Sequence, residues 1–383
     1  MSTFQVRSEI FPDKVQFSPN STLLAVLGTP DTVATGSSAL LFYDVAATRS
    51  MAGFRVGCAS VTGIPFSPDG KSIALPTAGD DITVWSTSDG QKQYKLDSSP
   101  LTPPPNGKAW ITFGERLELL FSPDGQTIAA GGTNYVANLW DASTGKHRTT
   151  LVGHTDYYVQ WLAFSPDSKL LASIAHDRRI SVRNNKITFS DADDVIRIWD
   201  VPTGRQLYAL PFERMAVTRP IFSPDSKLLA ARSSWKSATI WDMTTGQVVH
   251  TLREDREMVD PFAFSPDGKL LIAVSGHAIR LYDVATGVVH RELRGHTDTI
   301  TSVVISKDGQ LIASGGRDRT VRLWHMATGE MCAKFDGHGQ QVRDLAFSPD
   351  GKLLVSLDNY RQIRIWGEDT QVEEDEITMG LAK

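Results

Sequence analysis

The sequence predicts an all-β chain of eight repeated four-stranded sheets closed into a ring. The tetrapeptide Phe-Ser-Pro-Asp, or a near copy, begins at residues 17, 66, 121, 164, 222, 264, 305 and 347. An apolar run such as Lys-Leu-Leu-Ala-Ser follows each copy. An aromatic then closes each run, at Tyr43, Trp85, Trp140, Trp199, Trp241, Tyr282, Trp324 and Trp366, the last five spaced 42, 41, 42 and 42 apart. A fixed period in the low forties marks a repeat architecture.

The seventh repeat shows how each element arises. Ile300 to Ile305 is a short, mostly apolar strand. Lys-Asp-Gly supplies turn chemistry, with Gly309 free to take positive φ. Leu311 to Ser314 is a second strand, Arg317-Asp318 a turn, and Thr320 to Trp324 a third strand rich in β-branched residues. Ala327-Thr328-Gly329 turns the chain into a fourth strand, Met331 to Phe335. Such a meander is apolar on both faces and buries them only by stacking on neighbours around an axis, which is a β-propeller. Eight anchors predict eight blades. Seven is the runner-up, but Ser38 to Asp44 still reads as a third strand in the degenerate first repeat. The last repeat stops after its third strand, and Thr3 to Ile10 reads as the missing outer strand, which would join the chain ends. Residues 1–367 are thus one domain. Residues 368–383, carrying Gln-Val-Glu-Glu-Asp-Glu-Ile, are an acidic tail expected to be a solvated, mobile end.

Gly-His pairs at 153–154, 295–296 and 337–338, and Trp-Asp pairs at 140–141, 199–200 and 241–242, complete the pattern. With these motifs in register from about Phe4 to Trp366, the chain resembles the WD40-repeat family of β-propellers. The resemblance implies a hydrogen-bonded His-Ser-Asp-Trp tetrad within a blade, and repeat seven matches it fully with His296, Ser314, Asp318 and Trp324. Repeat eight has His338, Ser356 and Trp366, with Tyr360 in the Asp register. Repeat four has His154, Ser173 and Trp199, with Asp177 or Asp193 as the acid. The tetrad is a structural device and carries no chemistry.

Departures from the period are the candidate binding elements. Ser98 to Gly114 separates blades two and three and contains Pro103, Pro104, Pro105, Trp110 and Phe113. His176 to Asp194 separates the second and third strands of blade four. It carries Arg178, Arg179, Arg183 and Lys186, and reads as a hairpin around Asn184-Asn185. Thr29 to Ser37 is a smaller insertion in blade one. The resemblance implies that all three lie on one face, the top, where a protein or peptide partner would dock. Trp110 and the arginines are types favoured at interface hot spots. Trp235, Tyr157, Tyr360 and Arg361 add aromatic and basic side chains to the same rim.

A second set lies three residues before each anchor and is expected at the mouth of the central channel. Lys14, Glu118, Trp161, Arg219 and Asp344 are its charged and aromatic members. They either grip a small charged ligand or a peptide, or line a water-filled channel with charges paired between adjacent blades, as Lys14 with Asp344, and pairing is the favoured reading.

Catalytic signatures are missing from the sequence. It has no HExxH, CxxC, GxSxG or phosphate-cradling glycine loop, so no metal, cofactor or catalytic residue is assigned. The expected role is a non-enzymatic interaction scaffold. The alternative is an enzyme or small-molecule binder at the channel mouth. A net charge of −5 argues against nucleic acid. Two cysteines suit a reducing, cytoplasmic setting, and no apolar run is long enough to span a bilayer.

Overall fold

The computed structural model describes residues 2–8, 10–30, 38–45, 49–56, 60–61, 63–77, 81–97, 116–131, 136–154, 158–176, 180–183, 186–189, 195–213, 218–254, 258–360, 362–367 and 377–379. The chain is an all-β, eight-bladed propeller. It comprises two compact units, one of residues 1–57 and 254–383 and the other of residues 58–253.

The first unit holds blades one, six, seven and eight. Blade one is Ile10–Phe17, Leu23–Pro30, Ser38–Asp44 and Arg49–Val56, so the degenerate first repeat is a full blade. Blade six is Asp260–Phe264, Leu270–Ser275, Ala278–Asp283 and Val289–Arg294. Blade seven is Ile300–Ile305, Leu311–Gly316, Val321–His325 and Met331–Phe335. Blade eight takes Val342–Phe347, Leu353–Asp358 and Gln362–Gly367 from the end of the chain and Ser2–Ser8 from its start. Ser2–Ser8 pairs antiparallel with the third strand, from Ser2 opposite Gly367 to Arg7 opposite Gln362.

The tail departs from expectation over three residues. Ile377–Met379 adds a fifth, parallel strand to blade eight, with Ile377 opposite Val6 and Met379 opposite Ser8. The physical reason is the edge itself: the outer strand presents unpaired backbone groups, which a short apolar segment covers.

The second unit holds blades two to five. Blade two is Ser72–Thr77, Asp81–Ser86 and Lys92–Lys95, with its inner position reduced to the single bridge Phe66 to Ile73. Blade three is Leu119–Phe121, Thr127–Gly131, Val136–Asp141 and His147–Val152. Blade four is Tyr158–Phe164, Leu170–His176, Val195–Asp200 and Gln206–Pro211. Blade five is Ile221–Phe222, Leu228–Ser234, Ser237–Asp242 and Val248–Arg253.

The core lies between blades. One cluster joins Ile272, Ile279 and Leu281 of blade six to Ile300, Val303 and Trp324 of blade seven. Another joins Leu24, Val26 and Tyr43 of blade one to Val355, Leu357 and Ile365 of blade eight. The third-strand aromatic thus packs on the preceding blade, as Trp366 of blade eight does against Phe335 of blade seven with ring centroids 4.6 Å apart.

The anchor motif owes its recurrence to one turn. Ser306 Oγ donates to Asp308 Oδ1 at 2.6 Å and accepts the Leu311 N–H at 2.9 Å. Asp308 Oδ1 accepts the Gln310 N–H at 3.0 Å, and Gly309 sits at φ 72°. The Ser-to-Asp bond, or Ser-to-Asn in blade one, repeats in all eight copies at 2.5–2.6 Å. Blades four and five carry Ser168 and Ser226 where most others have Gly, at φ 62° and 63°. Both hydroxyls reach the preceding blade: Ser168 Oγ accepts the Asp124 N–H and Ser226 Oγ the Asp167 N–H, each at 3.0 Å.

Candidate functional site

Antiparallel alternation gives every blade two ends. The anchor turn and the third-to-outer turn lie at one end. The second-to-third turn and the connection to the next blade lie at the other, here called the upper edge. The anchor end is uniform, whereas the two large insertions interrupt connections that belong to the upper edge.

Below the surface of the upper edge are the tetrads. In blade seven His296 Nδ1 lies 2.8 Å from Asp318 Oδ2, and Nε2 lies 2.8 Å from Ser314 Oγ. The carboxylate can only accept, so Nδ1 carries the proton and Nε2 accepts from the Ser314 hydroxyl. Trp324 Nε1 donates to the same Ser314 oxygen at 2.9 Å. Burial pushes the His296 pKa down, which keeps the ring neutral.

Blade eight corrects the sequence reading. Tyr360 does not stand in for the acid, because Asp358, at the end of the second strand, takes that role. Its Oδ2 is 3.1 Å from His338 Nδ1, and His338 Nε2 and Trp366 Nε1 meet Ser356 Oγ at 2.7 and 2.9 Å. The acid comes two residues after the Ser here, against four in blade seven, so matching by register misses it. In blade four His154 Nε2 and Trp199 Nε1 each lie 2.7 Å from Ser173 Oγ, while Asp177 and Asp193 fall outside the described residues.

Blade six has neither the Ser nor the Trp. Its Tyr282 hydroxyl donates to Glu254 Oε1 at 3.0 Å, and Arg280 bridges Glu254 and Glu292. Burial, then the Glu254 hydrogen bond, holds the Tyr282 pKa up at about 12. This substitute network has no repeat signature from which sequence reading could find it.

The channel-mouth set divides by burial. Lys14 and Arg219 are exposed and Trp161 is partly buried. Glu118 and Asp344 are buried, at 1% and 8% exposure. Arg219 Nη2 meets Glu118 Oε1 at 2.7 Å, reaching from blade five to blade three. Lys14 Nζ is 3.5 Å from Asp344 Oδ1, and Asp344 Oδ2 accepts the Val15 N–H at 3.0 Å. Burial drives the Asp344 pKa upward against the pull of Lys14.

A β-bulge explains the depth of Asp344. The inner-strand register slips between Pro12 and Lys14 and between Val342 and Asp344. The same slip recurs between Val159 and Trp161 and between Ile300 and Ser302. The extra residue, Asp13 or Arg343 at the joint of blades one and eight, turns outward instead. Asp13 and Arg343 pair at 2.7 Å above the Lys14–Asp344 pair. Strict period-two reading missed both.

Of the rim candidates, Trp235 is 56% and Tyr360 69% exposed. Arg183 lies in the strand Ile180–Arg183, which pairs with Lys186–Phe189 as the expected hairpin. Trp110, Tyr157, Arg178, Arg179 and Arg361 fall outside the described residues. Among the described residues, no group of three His, Cys, Asp or Glu is placed to hold a metal ion. Among them, no helix is long and apolar enough to cross a membrane.

The family profile described as "WD domain, G-beta repeat" matches residues 145–200, 287–325 and 329–367. The chain is similar to an uncharacterised WD repeat-containing protein of Synechocystis, 30% identical over 47% of this chain and 42% of that one. It is also similar to the THO complex subunit 6 homolog of Danio rerio, 25% identical over 43% of this chain and 46% of that one. With Autophagy-related protein 16 of Arabidopsis thaliana it shares 23% identity over 65% of this chain and 35% of that protein. The matches thus span less than half the length of each relative.

Proposed function

We propose that this chain of WD40 repeats is a non-enzymatic interaction scaffold whose upper edge docks a protein or peptide, with the insertions at 98–114 and 176–194 as the main contacts. The observation that carries the reading is the contrast between the two blade ends. Eight near-identical Ser-Asp turns hold the anchor end to the period. Both large insertions fall in connections of the other end, where loop growth leaves the packed blades intact. Similarity to a protein named as a subunit of the THO complex agrees with work inside an assembly. The channel-mouth reading has less support, because Glu118 and Asp344 already hold cations of this chain.

Affinity capture with the whole chain, compared with a variant lacking 178–192, tests the proposal. Partners retained by the whole chain and lost from the variant, with equal melting temperatures, support it. Identical partner sets from the two proteins contradict it.

A further inference from the structure

The upper edge of blades seven and eight carries a second feature that the insertions do not explain. Among the described residues four non-glycine positions take positive φ, and three of them are serines of the anchor turns, Ser21, Ser168 and Ser226. The fourth is Arg319, at φ 64° in the second-to-third turn of blade seven. A long cationic side chain is a poor choice for a left-handed position, where glycine or asparagine is at ease. Its side chain is exposed, and so is that of Arg317 in the same turn. Among the described residues neither lies within ion-pair distance of a carboxylate. The turn holds this conformation, with the Arg319 N–H donating to Gly316 O at 3.1 Å and Asp318 Oδ1 accepting the Thr320 N–H at 3.2 Å, and so fixes the base from which both arginines project.

The turn itself presents two cations outward, Arg317 and Arg319. The acids of the two turns, Asp318 and Asp358, are withdrawn into the tetrads with side chains 4% and 0% exposed. Blade eight lies directly against this turn, because a Cβ on Gly315 would meet Val342 Cγ1 at 2.5 Å. Arg343 follows Val342 and is half-exposed, paired with Asp13. Asp298 is exposed, its Oδ1 accepting the Thr299 N–H, and Asp336, in the connection to blade eight, is paired with Lys334. Tyr360, in the corresponding turn of blade eight, stands 69% exposed although Asp358 fixes its backbone by accepting the Tyr360 N–H at 2.8 Å. An anchored backbone under an uncovered ring is a preorganised contact.

We infer that this rim binds an acidic linear segment of a partner protein, its carboxylates on Arg317 and Arg319 and an apolar side chain against Tyr360. The inference deepens the scaffold reading and rests on it, but it concerns a surface separate from the insertions. Arginine forks suit carboxylates, and exposed cations that hold no ion pair among the described residues speed the approach of an acidic chain.

The test uses the full chain and fluorescence anisotropy. The probe is a labelled peptide in which Glu and Asp flank a central Phe, and its counterpart has Lys and Arg in place of the acids. The acidic probe should bind, more weakly as salt rises, and the basic probe should not. Arg317→Glu with Arg319→Glu should weaken binding on the order of tenfold or more, and Tyr360→Ala severalfold. Lys169→Glu with Lys227→Glu, at the anchor end, should leave it unchanged. Arg319→Gly separates function from structure: it should weaken binding while holding or raising the melting temperature, since glycine relieves the backbone. Equal binding of the two probes, full affinity in the double Glu variant, or an equal loss in the anchor-end control overturns the inference. So does displacement of the peptide by a single-stranded oligonucleotide at lower concentration. Any of these results leaves the capture experiment on the 178–192 deletion to decide the scaffold reading.

Discussion

Trp324 of blade seven and Trp241 of blade five occupy the same place in their repeats but live differently. Trp324 donates to Ser314, whereas the register places Ala231 under Trp241, and its Nε1 has no acceptor among the described residues. Both rings are buried. Replacing either with Phe removes similar packing, but only Trp324→Phe also removes a hydrogen bond. Urea unfolding should therefore show Trp324→Phe costing about 1 kcal/mol more than Trp241→Phe. Equal losses would mean the tetrad bond adds nothing to stability. At this scale the sequence was legible where side chain and spacing repeat. Ser-Pro-Asp, Gly-His and Trp were found by register alone. Asp358 was not, because a carboxylate at the strand end reaches the same His338 nitrogen as one in the turn beyond. The Tyr282–Glu254–Arg280 network was missed because it answers a similar bonding need with unrelated residue types.

Among elements, the joint of blades one and eight is the most revealing. The dipeptide Asp13-Lys14 faces Arg343-Asp344 with charges reversed, giving two ion pairs. The outer pair is half-exposed and contributes little. The inner one includes a buried carboxylate, and removing its cation leaves that charge uncompensated. Lys14→Met should thus destabilise the protein by about 1 kcal/mol or more, and by much less in an Asp344→Asn background, whose amide oxygen still accepts the Val15 N–H. A double-mutant cycle in urea reads this coupling directly. Because the Asp344 pKa is raised, its ionisation opposes folding, so the parent should lose some stability relative to Asp344→Asn as pH rises above the ordinary carboxylate value of 3.8. The pairing of Lys14 with Asp344 was foreseen from sequence. The bulge that hides Asp344 and exposes Arg343 was not, since an inserted residue leaves no mark in the apolar pattern.

At the scale of the molecule, the repeat makes acid sensitivity additive. Asp141 is held down to about 2 by Ser143 and Thr144, and Asp69, Asp225, Asp267, Asp308 and Asp350 are lowered first of all by their turn serines. A lowered folded pKa gives stability that is present above the ordinary value of 3.8 and lost as pH falls through the folded value. Melting temperature should therefore hold from neutrality to about pH 4 and fall steeply toward pH 2. A flat profile would contradict the turn account. Deleting residues 1–8 should lower stability far more than deleting 368–383, because Ser2–Ser8 completes blade eight and Ile377–Met379 only caps its edge. Fold and blade number could be read from the chain because stacking sheets impose one repeated pattern on it. Function could be read less well, because recognition uses the segments that escape the repeat. The scaffold proposal is tested most directly by hydrogen–deuterium exchange of the chain with and without its captured partner. Protection is expected at 98–114, 176–194 and the second-to-third turns, with the eight anchor turns unchanged. Protection confined to the anchor turns, or to the inner strands around Glu118 and Asp344, would contradict it.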